Sequence, residues 1–293
     1  MPAESTKVFL AAKLHDHPLN VAFRAFLAKF PLKAHRPIHR TPHHEVPTLY
    51  VWGNKKGDRG NQPISFDFAC LRWQVWLLII DARFDVKNCN EPLMSPSGKL
   101  PFLLTPNNDA VIGEHIEEFL KQNPEHQLDL DIPALTTDEE ITNSKAFVAL
   151  ADTKLRNALM YYYWCEAQNF EEVTSQLYGA KYPKPLNWII LYQMKSAVVK
   201  ELLTRKPVLD REEIYQEAEE ALKAISTLLA DHDYFFGRSS PSFIDAVVFS
   251  YVHPILSNPT TSVNTLTTIT RRYKNLVEFS DRMKNRYFAK TYQ

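Results

Sequence analysis

The segment Ser95-Pro96-Ser97-Gly98-Lys99-Leu100-Pro101-Phe102-Leu103 constrains the fold of this chain more than any other. A glycine-bearing loop passes through Leu100-Pro101 and runs directly into an apolar stretch. Proline has no N–H to give to a ladder, so Pro101 belongs at the start or the edge of a strand. Bonds to proline are also where cis peptides occur. A cis bond here turns the backbone of Leu100 toward a pocket. We therefore expect Pro101 to be cis and structurally important, at the mouth of a strand.

Around this point the apolar pattern reads as a small α/β unit. Residues 47–52, Pro-Thr-Leu-Tyr-Val-Trp, predict a buried strand. A polar loop from Gly53 to Ile64 follows. Phe66 to Phe84 is apolar on nearly every face and predicts a buried helix, interrupted by Asp67, Arg72, Gln74 and Asp81. Further strands are expected over 85–90, 102–104 and 110–112, then a helix over 114–122. The order β-α-β-loop-Pro-β-β-α is that of a thioredoxin-like domain, since parallel neighbours need a helical crossover.

Beyond about Thr137 the period changes to 3.6. Ala146, Phe147, Leu150, Leu155, Leu159 and Tyr162 recur at helical spacing, as do Ile214, Ala218, Ala221, Leu222, Ile225 and Leu229. Ser242-Phe-Ile-Asp245 reads as a capping box that opens an apolar helix, which gives Ser242 and Asp245 a structural role. The expected organisation is an arm over 1–45, a thioredoxin-like domain over 46–128 and an all-helical domain over 129–293.

Composition narrows the function classes. The 293 residues carry a formal net charge of zero, so nucleic-acid binding is not indicated. Residues 1–44 nevertheless hold seven Lys/Arg against two acids. That basic arm also holds six of the ten histidines, and Phe23, Phe26, Leu27, Phe30, Pro31 and Leu32 suggest a short amphipathic element, our candidate partner-binding surface. The histidine spacing matches no metal-ligand pattern, so no metal site is assigned. Three scattered cysteines, Cys70, Cys89 and Cys165, fit free thiols rather than a disulfide framework. The longest uninterrupted apolar run is eight residues, Ala158 to Cys165. A spanning helix needs roughly 20, so membrane contact is expected to be peripheral only.

The proline corner resembles the glutathione-binding corner of glutathione transferases, formed here by Leu100, Pro101, Glu114 and His115. It is degenerate, because His115 stands where such a corner carries Ser. Transferases lower a thiol pKa with a hydroxyl or thiol just after the first strand. Tyr50 falls within the strand, Ser65 reads as a plain helix N-cap, and Cys70 reads as inert packing inside an apolar helix. No catalytic residue and no cofactor are assigned.

The helical half carries the family resemblance. Ala146-Phe-Val-Ala-Leu-Ala-Asp-Thr-Lys-Leu155, Ala158-Leu-Met-Tyr-Tyr-Tyr-Trp164, Asn169-Phe-Glu-Glu-Val-Thr174, Pro183-Lys-Pro-Leu-Asn187, Tyr234-Phe-Phe-Gly237 and Val248-Phe-Ser-Tyr251 together resemble the metaxin family. Phe26-Leu-Ala-Lys-Phe-Pro-Leu32 resembles the start of its smaller, fungal 35-kDa-type subunit. The resemblance implies a glutathione-transferase-like architecture used without catalysis. It also implies a peripheral subunit on the cytosolic face of the mitochondrial outer membrane, in the sorting and assembly machinery. There it would receive β-barrel precursors through their β-signal, beside a barrel-forming core subunit and a second metaxin-like subunit. The alternatives are a cytosolic glutathione-dependent transferase, or a transferase-like interaction module of another complex.

Overall fold

The computed structural model describes residues 46–53, 64–122, 135, 137–257 and 264–288. The basic arm, with Phe23, Phe26, Leu27, Phe30, Pro31 and Leu32, lies outside the described residues, as does most of the Gly53–Ile64 loop.

The N-terminal part is a four-stranded mixed sheet, ordered β2-β1-β3-β4. Strand β1 (Thr48–Val51) is central and almost wholly buried. It pairs in parallel with β2 (Asp85–Asn88), Thr48 opposite Asp85. On its other side it pairs antiparallel with β3 (Phe102–Leu104), Tyr50 opposite Phe102. Strand β4 (Ala110–Ile112) closes the sheet against β3. Helix α1 (Phe68–Ile79) is the crossover between the two parallel strands.

Helix α1 is shorter than its apolar pattern predicts. Asp67 is its N-cap, with its carboxylate accepting from the Cys70 N–H at 3.0 Å. At the other end the chain reverses through Asp81 in a left-handed conformation, φ 52°, so residues 82–84 lead into β2 rather than extend the helix. After β4, a 3-10 turn (Gly113–His115) precedes helix α2 (Ile116–Gln122).

The rest is helical. Helix α3 (Asp138–Leu150) starts with a capping box: the Thr137 hydroxyl accepts from the Glu140 N–H at 3.1 Å, and the Glu140 carboxylate accepts from the Thr137 N–H at 3.3 Å. A π-helical turn, Ala151–Leu155, joins it to α4 (Arg156–Trp164). Helices α5 (Leu186–Arg205), α6 (Arg211–Leu229), α7 (Phe243–Leu256), α8 (Thr265–Arg271) and α9 (Lys274–Phe288) follow.

Helix α7 is the hub. Every residue from Ile244 to Ile255 is buried. Removing a large apolar side chain from water contributes ~1.5–3 kcal/mol, and α7 does so with Phe249, Val252 and Ile255 among others. Its start is held by Asp245, whose carboxylate accepts from the Ser242 N–H at 2.8 Å, the Ser242 hydroxyl at 2.9 Å and the Phe235 N–H at 3.1 Å. The last contact anchors the Tyr234-Phe-Phe-Gly237 turn, where Phe236 and Gly237 are left-handed, φ 62° and 63°. A Cβ on Gly237 would come within 3.3 Å of the His232 ring, so the turn needs glycine twice over.

The helical part and the sheet-bearing part meet along α1 and α7. The Phe68 and Tyr251 rings stack at 5.3 Å, and Trp76 meets Phe243 edge-on at 5.2 Å.

Candidate functional site: a cationic cleft at the proline corner

The Leu100-Pro101 bond is cis, as expected from the sequence. Pro101 and Leu100 are buried, and together with Ser97 and Lys99 they form one wall of a cleft of about 460 Å3. Phe68, Ala69, Arg72 and Trp73 from the first half of α1 form a second wall. Ile112 and Gly113 contribute from the end of β4. The helical part supplies Asp152, Arg156, Arg205 and Tyr251.

The floor of the cleft is a polar cluster spanning both parts of the fold. The Arg72 guanidinium donates to both oxygens of Asp152, through Nη1 at 3.2 Å and through Nη2. Nη2 also donates to the Tyr251 hydroxyl at 2.8 Å, and that hydroxyl donates to Asp152 at 2.7 Å. Burial, with the Asp152 charge, pushes the Tyr251 phenol above its ordinary value, so it serves as a neutral donor. Arg156 lies over the Phe68 ring, 5.8 Å from its centroid, and pairs with Glu201 at 2.6 Å. Asp152 sits in the π-helical turn. An extra residue in a helical turn re-aims the side chains it carries, and such turns concentrate at functional sites.

The candidate thiol-activating groups lie elsewhere. The Ser65 hydroxyl donates to the Trp52 carbonyl at 2.5 Å, and Asp67 rather than Ser65 caps α1. This corrects the expectation of a Ser65 N-cap. Cys70 lies in the first turn of α1, not deep inside it, yet it is fully buried. Burial, then the neighbouring Asp67 charge, pushes its thiol well up, the direction that disfavours a thiolate. The Tyr50 ring stacks flat on Phe102 at 4.7 Å. None of the three lines the cleft. The two hydroxyls that do are engaged: Tyr251 with Asp152, and Ser97 with Ser95 at 3.0 Å.

The degenerate corner is only half assembled at the cleft. Leu100 and Pro101 line it. Glu114 falls in the 3-10 turn, and its side chain is outside the described residues. His115 is 62% exposed beside Glu118 and does not line the cleft, which corrects its grouping with the corner. Ser242 and Asp245 act at the head of α7, as described above. Sequence reasoning missed Arg156, Arg205 and Tyr251, and noted Arg72 only as a charge inside an apolar helix. That charge was the available signal, because a buried Arg requires a partner.

Comparison with known proteins follows this architecture. Human Metaxin-2 is 31% identical over 229 residues, which covers 77% of this chain and 84% of the relative. The chain belongs to the metaxin family. Metaxin-3 of Xenopus laevis is 30% identical over 248 residues, covering 82% of this chain and 76% of the relative. Residues 70–195 match the Tom37 family, described as an outer mitochondrial membrane transport complex protein, and residues 218–283 match the glutathione S-transferase C-terminal domain. Among solved structures, a beta-etherase from Sphingobium superposes with a TM-score of 0.54 at 11% identity, covering 82% of this chain and 95% of that one. Glutathione S-transferase III in its apo form superposes at 0.50 and 14% identity, covering 84% and 95%. The fold is thus glutathione-transferase-like, a thioredoxin-type sheet followed by a helical domain. As a metaxin, the protein has a role in mitochondrial outer-membrane protein import or assembly, within a membrane complex.

Proposed function

We propose that this metaxin is a non-catalytic, peripheral subunit of the outer-membrane sorting and assembly machinery, on the cytosolic face. It helps receive β-barrel precursors through their β-signal, alongside a barrel-forming core subunit and a second metaxin-like subunit. The observation that carries the reading is the state of the transferase-like corner: Ser65 is spent on Trp52 and the Cys70 thiol is buried. A barrel precursor carries an unpaired strand edge, and stray pairing of such edges is a hazard. Holding that strand requires surface, not chemistry. Among the described residues no helix is long and apolar enough to cross a membrane, which favours attachment through a partner. The arm positions Phe23, Phe26, Leu27 and Phe30 are the proposed anchors, since buried aromatic anchors contribute ~2 kcal/mol or more each and exposed charge pairs about 0–1. Replacing these four with Ser should release the protein from isolated outer membranes. Replacing Lys29, Lys33 and Arg36 with Gln should release less. Release by the charge variant alone would reverse the assignment.

A further inference from the structure

We propose that the loop entering α5, together with the 3-10 turn after β2, is a lipid-facing surface that rests on the headgroup–acyl boundary of an anionic bilayer. Leu93, Met94, Leu186, Trp188 and Ile189 are five of the six large apolar side chains exposed among the described residues. Leu93 is 82% exposed and Trp188 61%. Single exposed apolar residues are ordinary, whereas a group of them marks an interaction surface. These five are grouped. The Glu91 carboxylate accepts from Lys181 Nζ at 3.2 Å and from the Tyr182 hydroxyl at 3.3 Å. That sets the Pro92–Met94 turn beside the loop leading into Leu186. The Cys89 thiol adds a 3.4 Å contact to the Met94 sulfur.

The loop is held in shape. The Tyr182 N–H donates to the Gly179 carbonyl, the Asn187 N–H to the Pro183 carbonyl and the Trp188 N–H to the Pro185 carbonyl, each at 3.1 Å. Behind it Leu191 packs so closely that a Cβ on Gly179 would meet its side chain at 2.7 Å. Charge then selects the partner. Residues 173–200 hold four lysines, Lys181, Lys184, Lys195 and Lys200, and neither an acid nor an arginine, in a chain of zero formal net charge. Lys181 is held by Glu91, and Lys195 lies over the Phe170 ring at 4.3 Å. Lys184 and Lys200 have no acidic partner among the described residues. The cores of protein–protein interfaces favour arginine and are poor in lysine. Tryptophan at the water boundary, aliphatic side chains beside it and lysines reaching back to phosphates make up a surface that lies on a membrane. The inference rests on the peripheral outer-membrane placement proposed above, and adds a direct lipid contact to attachment through a partner.

The test is flotation of the full-length protein with vesicles of phosphatidylcholine, with and without phosphatidylserine, whose acyl chains carry bromine near the headgroup to quench tryptophan on contact. Trp188 is the reporter: Trp52, Trp76 and Trp164 are buried, Trp73 is half-buried, and residues 1–44 contain no tryptophan. Binding at least tenfold tighter to the anionic vesicles, weakened by salt and accompanied by quenching, is expected. Trp188→Phe should still float and lose the quenching. Leu93→Ser with Trp188→Ser and Ile189→Ser, all at exposed positions, should weaken binding at least tenfold and leave the melting temperature unchanged. Lys184→Gln with Lys200→Gln should reduce the preference for anionic lipid. No flotation would overturn the proposal and leave the surface to a protein partner. Flotation without quenching, quenching that survives Trp188→Phe, or undiminished binding by the folded triple variant would overturn it by placing the lipid contact elsewhere. The vesicles hold no protein partner and the assembly role is read separately in mitochondria, so failure here leaves that reading standing.

Discussion

Arg72 and Asp152, eighty positions apart, form an ion pair that fastens the sheet-bearing part of this metaxin to its helical part. Tyr251 closes the triangle by bonding to both. The pair is partly shielded, with Arg72 16% and Asp152 34% exposed. Removing one member of such a pair leaves a desolvated charge. Asp152→Asn should therefore cost ~2–4 kcal/mol, toward the lower end because Asp152 retains solvent. Tyr251→Phe should cost about 1 kcal/mol. The double variant should cost less than the sum, because the two substitutions share the Arg72 donor. Urea unfolding of the four proteins completes the cycle, and strict additivity would show that the triangle does not act as one unit.

Asn90 makes a second long-range tie. Its side-chain amide accepts from the Gly53 N–H and donates to the Gly53 C=O, both at 2.8 Å, from a residue with φ 51°. Asn90→Gly loses the two bonds but keeps the left-handed backbone at ease. Asn90→Ala loses the bonds and adds about 1–2 kcal/mol of backbone strain. The alanine variant should be the less stable of the two by that margin. Equal melting temperatures would show that the left-handed backbone at this position carries no such strain.

Both ties rest on residues whose role the sequence shows only in part. The strands, the cis Pro101, the Asp245 box and the period change near Thr137 were legible, because turn chemistry and apolar spacing are local properties. The Arg72–Asp152 pairing was not. It depends on how α1 docks against a π-helical turn far along the chain, and no local pattern encodes that docking. Ser65 illustrates the same limit. A Ser ahead of a helix reads as a cap, yet here its hydroxyl is captured by the Trp52 carbonyl and Asp67 takes over the cap.

Stability should respond to acid through His253. This residue is 7% exposed and stacks on Phe249 at 4.9 Å. Burial, with a contribution from the Lys284 charge, holds its imidazole down to about 4. The unfolded chain protonates this group near 6.5, so below that pH the unfolded state binds more protons. The contribution is present above about pH 6.5 and is lost as pH falls toward 4, by at most about 3 kcal/mol. Asp245 opposes it. Burial raises its carboxyl to about 6, so the native state holds that proton and stability from this group is lost as pH rises through the same window. His253→Phe should therefore lose less stability than wild type between pH 7 and pH 4.5. An identical loss in urea titrations at the two pH values would show that His253 does not govern the acid response.

The central claim is that a transferase-like scaffold serves barrel assembly without thiol chemistry. The most direct measurement is the conversion of a labelled β-barrel precursor into its mature outer-membrane complex, followed on native gels in mitochondria depleted of this protein and then supplied with wild type or Tyr50→Phe. The account predicts that depletion blocks conversion and that both proteins restore it fully, while neither turns over glutathione with an aryl halide. Precursor assembly at the normal rate after depletion, or glutathione turnover by the wild-type protein, would contradict it.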